Sequence, residues 1–215
     1  MCAIRHTPQG PSADRNKIYM VLKTRERLIE VARQLFARKG IENTTMNDIA
    51  SASDKGRRTI HTYFKNKRDI YNAVIEQETD KLLEKLRIIA ARPTDPTRKI
   101  EEYISTRFDT MREIVSRNGS LRAGFFRDVR RVDRARKMIS VKEIAILKEI
   151  IEEGVSQGYF EVADVRHTAI IMVHAIHGLD VPYIRDNLTE HGLDQSLVKR
   201  TASDLILKGI LRRQP

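Results

Sequence analysis

Cysteine occurs once in this sequence, at position 2, so no intrachain disulfide can form and the fold must hold without covalent staples. A reducing compartment, the cytoplasm, is the expected setting. Tryptophan is absent, and aromatic residues make up only 6%. Six prolines and ten glycines leave few helix breakers in 215 residues. No apolar run exceeds five residues, as at Ala169–Val173. A membrane-spanning helix needs roughly 20, so no membrane partner is expected. The N-terminus has no apolar core of the kind a signal peptide carries. There is also no glycine-rich phosphate loop, no nucleophile elbow and no clustered Cys/His set. An enzyme is therefore not expected, nor a resident metal or cofactor.

What is present is helix-forming and basic. Apolar residues reach 40% and charged residues 32%, a balance that excludes disorder and suits helices with wide solvated faces. The formal net charge is +11. From Asp14 to Asp69 there are 14 basic against 7 acidic residues, so seven of the eleven net charges lie in about a quarter of the chain. One basic module beside a nearly neutral remainder points to nucleic acid.

The apolar spacing is helical throughout, and an all-α fold of about nine helices is expected. Residues 1–16 carry Pro8, Gly10 and Pro11 without periodicity and are read as a disordered arm. Leu28, Ile29, Ala32, Leu35 and Phe36 form a stripe from Thr24 to Lys39, closed by Gly40. Thr45 and Asp48 have the spacing of a capping box, opening a short helix to about Ser53. Asp54-Lys55-Gly56 supplies a turn, and a third helix follows to Phe64. Asn66 caps a long fourth helix. Further helices are expected at 97–117, 121–129, 132–156, 165–188, with a bend at Pro182, and 193–211.

Two short helices behind a stabilising one make a helix-turn-helix, whose second helix fits a major groove about 12 Å wide. Ile49, Ala50, Ile60 and Phe64 are its inward positions. Thr45, Asn47, Arg57, Arg58, Thr59, His61, Thr62, Tyr63, Lys65 and Lys67 are its candidate DNA contacts. Arginine can read guanine bidentately, hydroxyls can bond phosphates or base edges, and lysines suit phosphates.

Several spacings agree at once with a known pattern. Leu35-Phe36-Ala37-Arg38-Lys39-Gly40 ends the first helix, Ile49-Ala50 sits in the second, and Thr59-Ile60 leads to Tyr63-Phe64 and Lys67. From about Arg27 to Ala73 the chain resembles the DNA-binding domain of the tetracycline-repressor (TetR) family. It departs from the family's common residues at Asp54-Lys55-Gly56, Arg58 and His61. The run Glu153-Gly154-Val155, Gly158 and Phe160 is similar to one common near the end of a ligand-domain helix in that family.

The resemblance implies a DNA-binding domain at 17–66 and a helical ligand-binding and dimerisation domain at 67–215. It implies a homodimer through the last two helices, at about 165–188 and 193–211, on a palindrome of double-stranded DNA, and an unidentified small-molecule effector. Tyr103, Phe108, Met111, Phe125, Phe126, Met138, Met172, His174 and His177 are the candidate pocket residues. The expected function is a ligand-responsive transcriptional repressor. The alternative is a helical interaction protein that uses its basic patch for a protein or RNA partner.

Overall fold

The computed structural model describes the backbone of residues 11–117 and 129–212. It describes their side chains except at 11–14, 16–17 and 129–138. Among the described residues are nine α-helices, one 3-10 turn and one isolated β-bridge, an all-α fold. They divide into two compact units, Met1–Val74 and Ile75–Pro215.

The first unit begins with α1 (Pro11–Lys39), followed by α2 (Met46–Ala52), α3 (Arg57–Tyr63) and the first turns of α4 (Lys67–Ala90). Helix α1 starts six residues inside the stretch read from sequence as a disordered arm. Good helix formers such as Arg15, Lys17 and Met20 follow Pro11 there, and no breaker intervenes before Gly40. Gly40 takes the left-handed φ of +81° that ends the helix, where glycine is free of the Cβ clash. The core of the unit is Leu28, Ile29, Ala32, Phe36, Ile49, Ala50, Ile60, Phe64 and Ile70, all nearly inaccessible to solvent. Phe36 meets Tyr71 edge to face at 6.0 Å.

The second unit contains the rest of α4, then α5 (Pro96–Arg117), α6 (Val129–Ser156), α7 (Val165–Gly178), α8 (Asp180–Ile184), a 3-10 turn (Thr189–His191) and α9 (Gln195–Ile210). The short helix expected at 121–129 falls almost wholly outside the described residues. The expected single helix over 165–188 is two. It breaks at Leu179, and Pro182 lies inside the five-residue α8 rather than at the bend. The unit boundary falls within α4, several residues beyond the 66/67 division read from sequence.

Two local devices hold this unit. A Cβ on Gly154 would stand 2.0 Å from the Phe160 ring, so only glycine lets that ring lie against α6. The same turn pairs with the end of α9: Glu161 N–H donates to the Ile210 carbonyl, and Arg212 N–H to that of Tyr159. The run from Glu153 to Phe160 thus marks a turn that locks the chain's last helix. Beside that turn, buried Lys99 donates to the Ala90 carbonyl at 2.9 Å and to Glu153 at 2.6 Å. It satisfies the C-terminus of α4 with a cation, the sign the helix dipole favours there.

Candidate nucleic-acid interface

The N-terminus of α2 is built by reciprocal hydrogen bonds. Asp48 N–H donates to the Thr45 hydroxyl at 3.1 Å, and Thr45 N–H donates to the Asp48 carboxylate at 2.9 Å. Those bonds, first among them the one from the Thr45 backbone, hold the Asp48 carboxyl below its usual range. The capping box read from sequence is present, and it uses the Thr45 side chain that was also a candidate DNA contact. Asn47, the second residue of the same helix, is exposed.

The turn into α3 passes through Asp54 at φ +54°. Gly56 then caps α3 with extended backbone and no side-chain bond. The first amides of α3 therefore have no side-chain partner at their cap, a feature that suits phosphate. Along α3, Ile60 is wholly buried and Phe64 nearly so. Arg57, Arg58, His61 and Thr62 are exposed, and Thr59 and Tyr63 are half-buried. The expected reading face is thus separated from the anchoring face by helix geometry alone. Among the described residues neither Arg57 nor Arg58 has an ion pair with a carboxylate, and both side chains are exposed. The Thr62 hydroxyl donates to the Arg58 carbonyl at 3.1 Å, which leaves its lone pairs, not its proton, for a ligand.

Two lysines behave differently from each other. Lys65 is exposed. Lys67 is half-buried, and its ammonium donates to the Glu42 carbonyl at 3.2 Å, tying the start of α4 to the α1–α2 connection. A residue missed in sequence stands behind the reading helix. The Arg25 guanidinium lies over the Phe64 ring, 5.5 Å from its centre, and fixes α1 against the end of α3. A basic residue on an apolar stripe, four before the buried Ile29, was the signal. Asn66 caps α4 as expected, accepting from Asp69 N–H at 3.0 Å.

The candidate pocket residues of the second unit divide. Tyr103, Phe108, Met111, Met172 and His177 are buried, whereas His174 is exposed. Phe125 and Phe126 lie outside the described residues, as does the side chain of Met138. His177 and Asp180, three residues apart, face different partners. Arg107 donates through Nε to Glu143 at 2.6 Å and through Nη1 and Nη2 to Asp180 at 2.5 and 3.0 Å. His177 Nε2 shares the other Glu143 oxygen at 2.5 Å. Arg107, Glu143 and Asp180 are 2% exposed or less, so α5, α6, α7 and α8 meet on a buried ionic cluster. The sequence analysis missed it, although the signal was there: Arg107 is a charge on the apolar face of α5, three residues after Ile104 and four before Met111.

Comparison with known proteins agrees with this geometry. Residues 28–74 match the model of bacterial regulatory proteins of the tetR family. A probable acrEF/envCD operon repressor of Escherichia coli is 36% identical over 84 residues, which are 39% of this chain and 38% of that protein. The chain thus aligns with well under half the length of the curated relatives it matches. A transcriptional regulator from Cytophaga hutchinsonii has a similar structure, with a TM-score of 0.70 at 25% identity over 87% of this chain and 98% of its own. SmeT, the repressor of the Stenotrophomonas maltophilia multidrug efflux pump SmeDEF, has a TM-score of 0.62 at 17% identity, over 87% and 90% of the two chains. That likeness shows the fold alone, and SmeT has also been solved in complex with triclosan. A capped α2, an outward basic face on α3 and the match agree that residues 28–74 form a domain similar to that of the tetR family of bacterial regulatory proteins.

Proposed function

We propose that the protein is a transcriptional repressor that binds a palindromic operator as a homodimer and is released by a small-molecule effector. The observation that carries this reading is α3: Ile60 and Phe64 anchor it while Arg57, Arg58, His61 and Thr62 face solvent without acidic partners. A helix about 10–12 Å across with that outer face fits the major groove. Thr45, Asn47, Thr59, Tyr63 and Lys65 flank it as further contacts. Lys67 supports the domain through Glu42.

Dimerisation would set two such helices about 34–36 Å apart, one turn of duplex. Ile171 on α7 and Leu205 on α9 support the expected interface. Both are large apolar residues about 70% exposed in a single chain, on the two helices named for that role. The effector reading rests on the SmeT–triclosan complex, a ligand bound by a protein of the same fold. The alternative of a protein or RNA partner for the basic patch gains no support from the comparisons.

The test is a gel shift of the full chain against the DNA upstream of its own gene, at several salt concentrations. Retention of one fragment over competitor DNA is expected, and binding with no sequence preference would sink the proposal.

A further inference from the structure

The outer face of α3 is not uniform, and its two arginines stand in different places on it. Ile60, 0% exposed, marks the inward direction of the helix. At about 100° of turn per residue, Arg58 and Thr62 stand about 160° from Ile60, opposite the anchor. His61 stands about 100° away and Arg57 only about 60°, on the anchored side. All four residues are exposed. The Thr62 side chain is short, and its hydroxyl already donates to the Arg58 carbonyl at 3.1 Å. Arg58 is therefore the long donor at the centre of the face that enters a major groove. Arg57 lies at the margin of that face, toward the phosphates that border the groove.

The chemistry of a guanidinium then selects the base. It has five N–H donors and no acceptor. In the major groove guanine presents two acceptors, N7 and O6. Adenine sets a donor beside its acceptor, thymine a methyl group beside its acceptor, and cytosine offers a donor. Only guanine satisfies two parallel donors at once. Helix α3, Arg57–Tyr63, contains no Asp or Glu, so it has no carboxylate to take the cytosine amino group. It also contains no Asn or Gln, the side chains that match adenine.

We propose that Arg58 reads a guanine in each half of the operator, and that Arg57 holds a backbone phosphate without regard to sequence. This rests on the repressor reading. It narrows the target to half-sites that carry guanine opposite the middle of α3.

The experiment uses the purified full chain to select from a pool of duplexes with randomised centres. Enrichment of a palindrome with guanine at one fixed position of each half is expected. Replacing that guanine by 7-deazaguanine removes N7 but keeps the pairing with cytosine. It should weaken binding about tenfold, within the range for one bidentate contact. Arg58→Ala should bind the palindrome about tenfold more weakly, accept all four bases at that position alike and lose nothing further to 7-deazaguanine. Arg57→Ala should weaken all sequences alike, keep the guanine preference and lower the salt slope by about 0.9 per arginine lost. The 7-deazaguanine comparison needs no variant, so it decides the question even if Arg58→Ala folds poorly. A palindrome without guanine, indifference to 7-deazaguanine, a guanine preference that survives Arg58→Ala, or one that disappears with Arg57→Ala would each overturn the assignment and leave the repressor reading intact. Enrichment of no sequence at all removes both.

Discussion

At position 154 a single methyl group decides whether a turn can close. A Cβ there would sit 2.0 Å from Phe160 Cδ2, and that ring is 2% exposed, so it has nowhere to move. Gly154→Ala should lower stability by about 1–3 kcal/mol, the range for overpacking, as measured by chemical denaturation. Asp54 differs in kind. Its φ of +54° is left-handed, a region that Asp tolerates and β-branched residues do not. Asp54→Val should cost about 1–2 kcal/mol and Asp54→Gly much less, read in the same assay. Thr45 is the third residue of this group. Thr45→Ala removes the bond to Asp48 N–H and should cost about 1 kcal/mol. These three effects are local because each follows from one backbone or ring contact.

Helices distribute such contacts over faces, and the two important faces here differ in how they were legible. On α3 the pattern of buried Ile60 and exposed Arg57, Arg58, His61 and Thr62 follows from a period of 3.6, so residue order alone separated anchor from reader. Removing Arg57 and Arg58 together should weaken operator binding and lower its salt slope by up to about 0.9 per arginine lost, seen in gel shifts across salt concentration. On α5, Arg107 lies on the apolar face, seven residues after Ile100 and four before Met111, although its charge suggests a solvated side chain. It is buried because Glu143 and Asp180, 36 and 73 residues away, converge on it. Arg107→Met should therefore destabilise the protein by about 3–5 kcal/mol, since it leaves two carboxylates buried without their cation. The break between α7 and α8 follows Gly178, four residues before Pro182, which has no N–H to give the Gly178 carbonyl. Asp180 is the first residue of α8 and is drawn inward to Arg107, where an unbroken helix over 165–188 was expected.

For the whole molecule, carboxylates held by cations and hydrogen bonds set the response to pH. Burial raises Glu78, Asp109 and Glu143, but hydrogen bonds and charge from Lys81 and Arg117, from Lys199 and Tyr183, and from Arg107 and His177 outweigh it. All three lie below the usual carboxylate range. A carboxyl whose folded pKa is depressed takes up its proton more readily in the unfolded chain. The stability it contributes is present above about pH 4 and lost as pH falls through its folded pKa. Thermal midpoints should thus decline steeply below about pH 4. A midpoint flat to pH 2 would contradict the cluster. Assembly belongs to the same scale. Ile171→Asp or Leu205→Asp should convert the proposed dimer to monomer in light-scattering chromatography while leaving helix content unchanged.

Helix-forming composition, sparse breakers and the period of apolar residues determined the all-α class, the capped α2, the α3 anchor and its basic outer face. These follow from contacts within a few residues, where sequence distance and spatial distance nearly coincide. The start of α1 at Pro11 was missed because the absence of an apolar stripe hides a helix that its residues still favour. Tertiary structure alone decided that Lys67 holds Glu42, that Arg25 covers Phe64, and that Arg107, Glu143, His177 and Asp180 meet in one buried cluster. In each case a charge that looks solvated in one dimension acquires a partner many residues away. Only the folded chain brings the two close enough for electrostatics to outweigh the cost of leaving water.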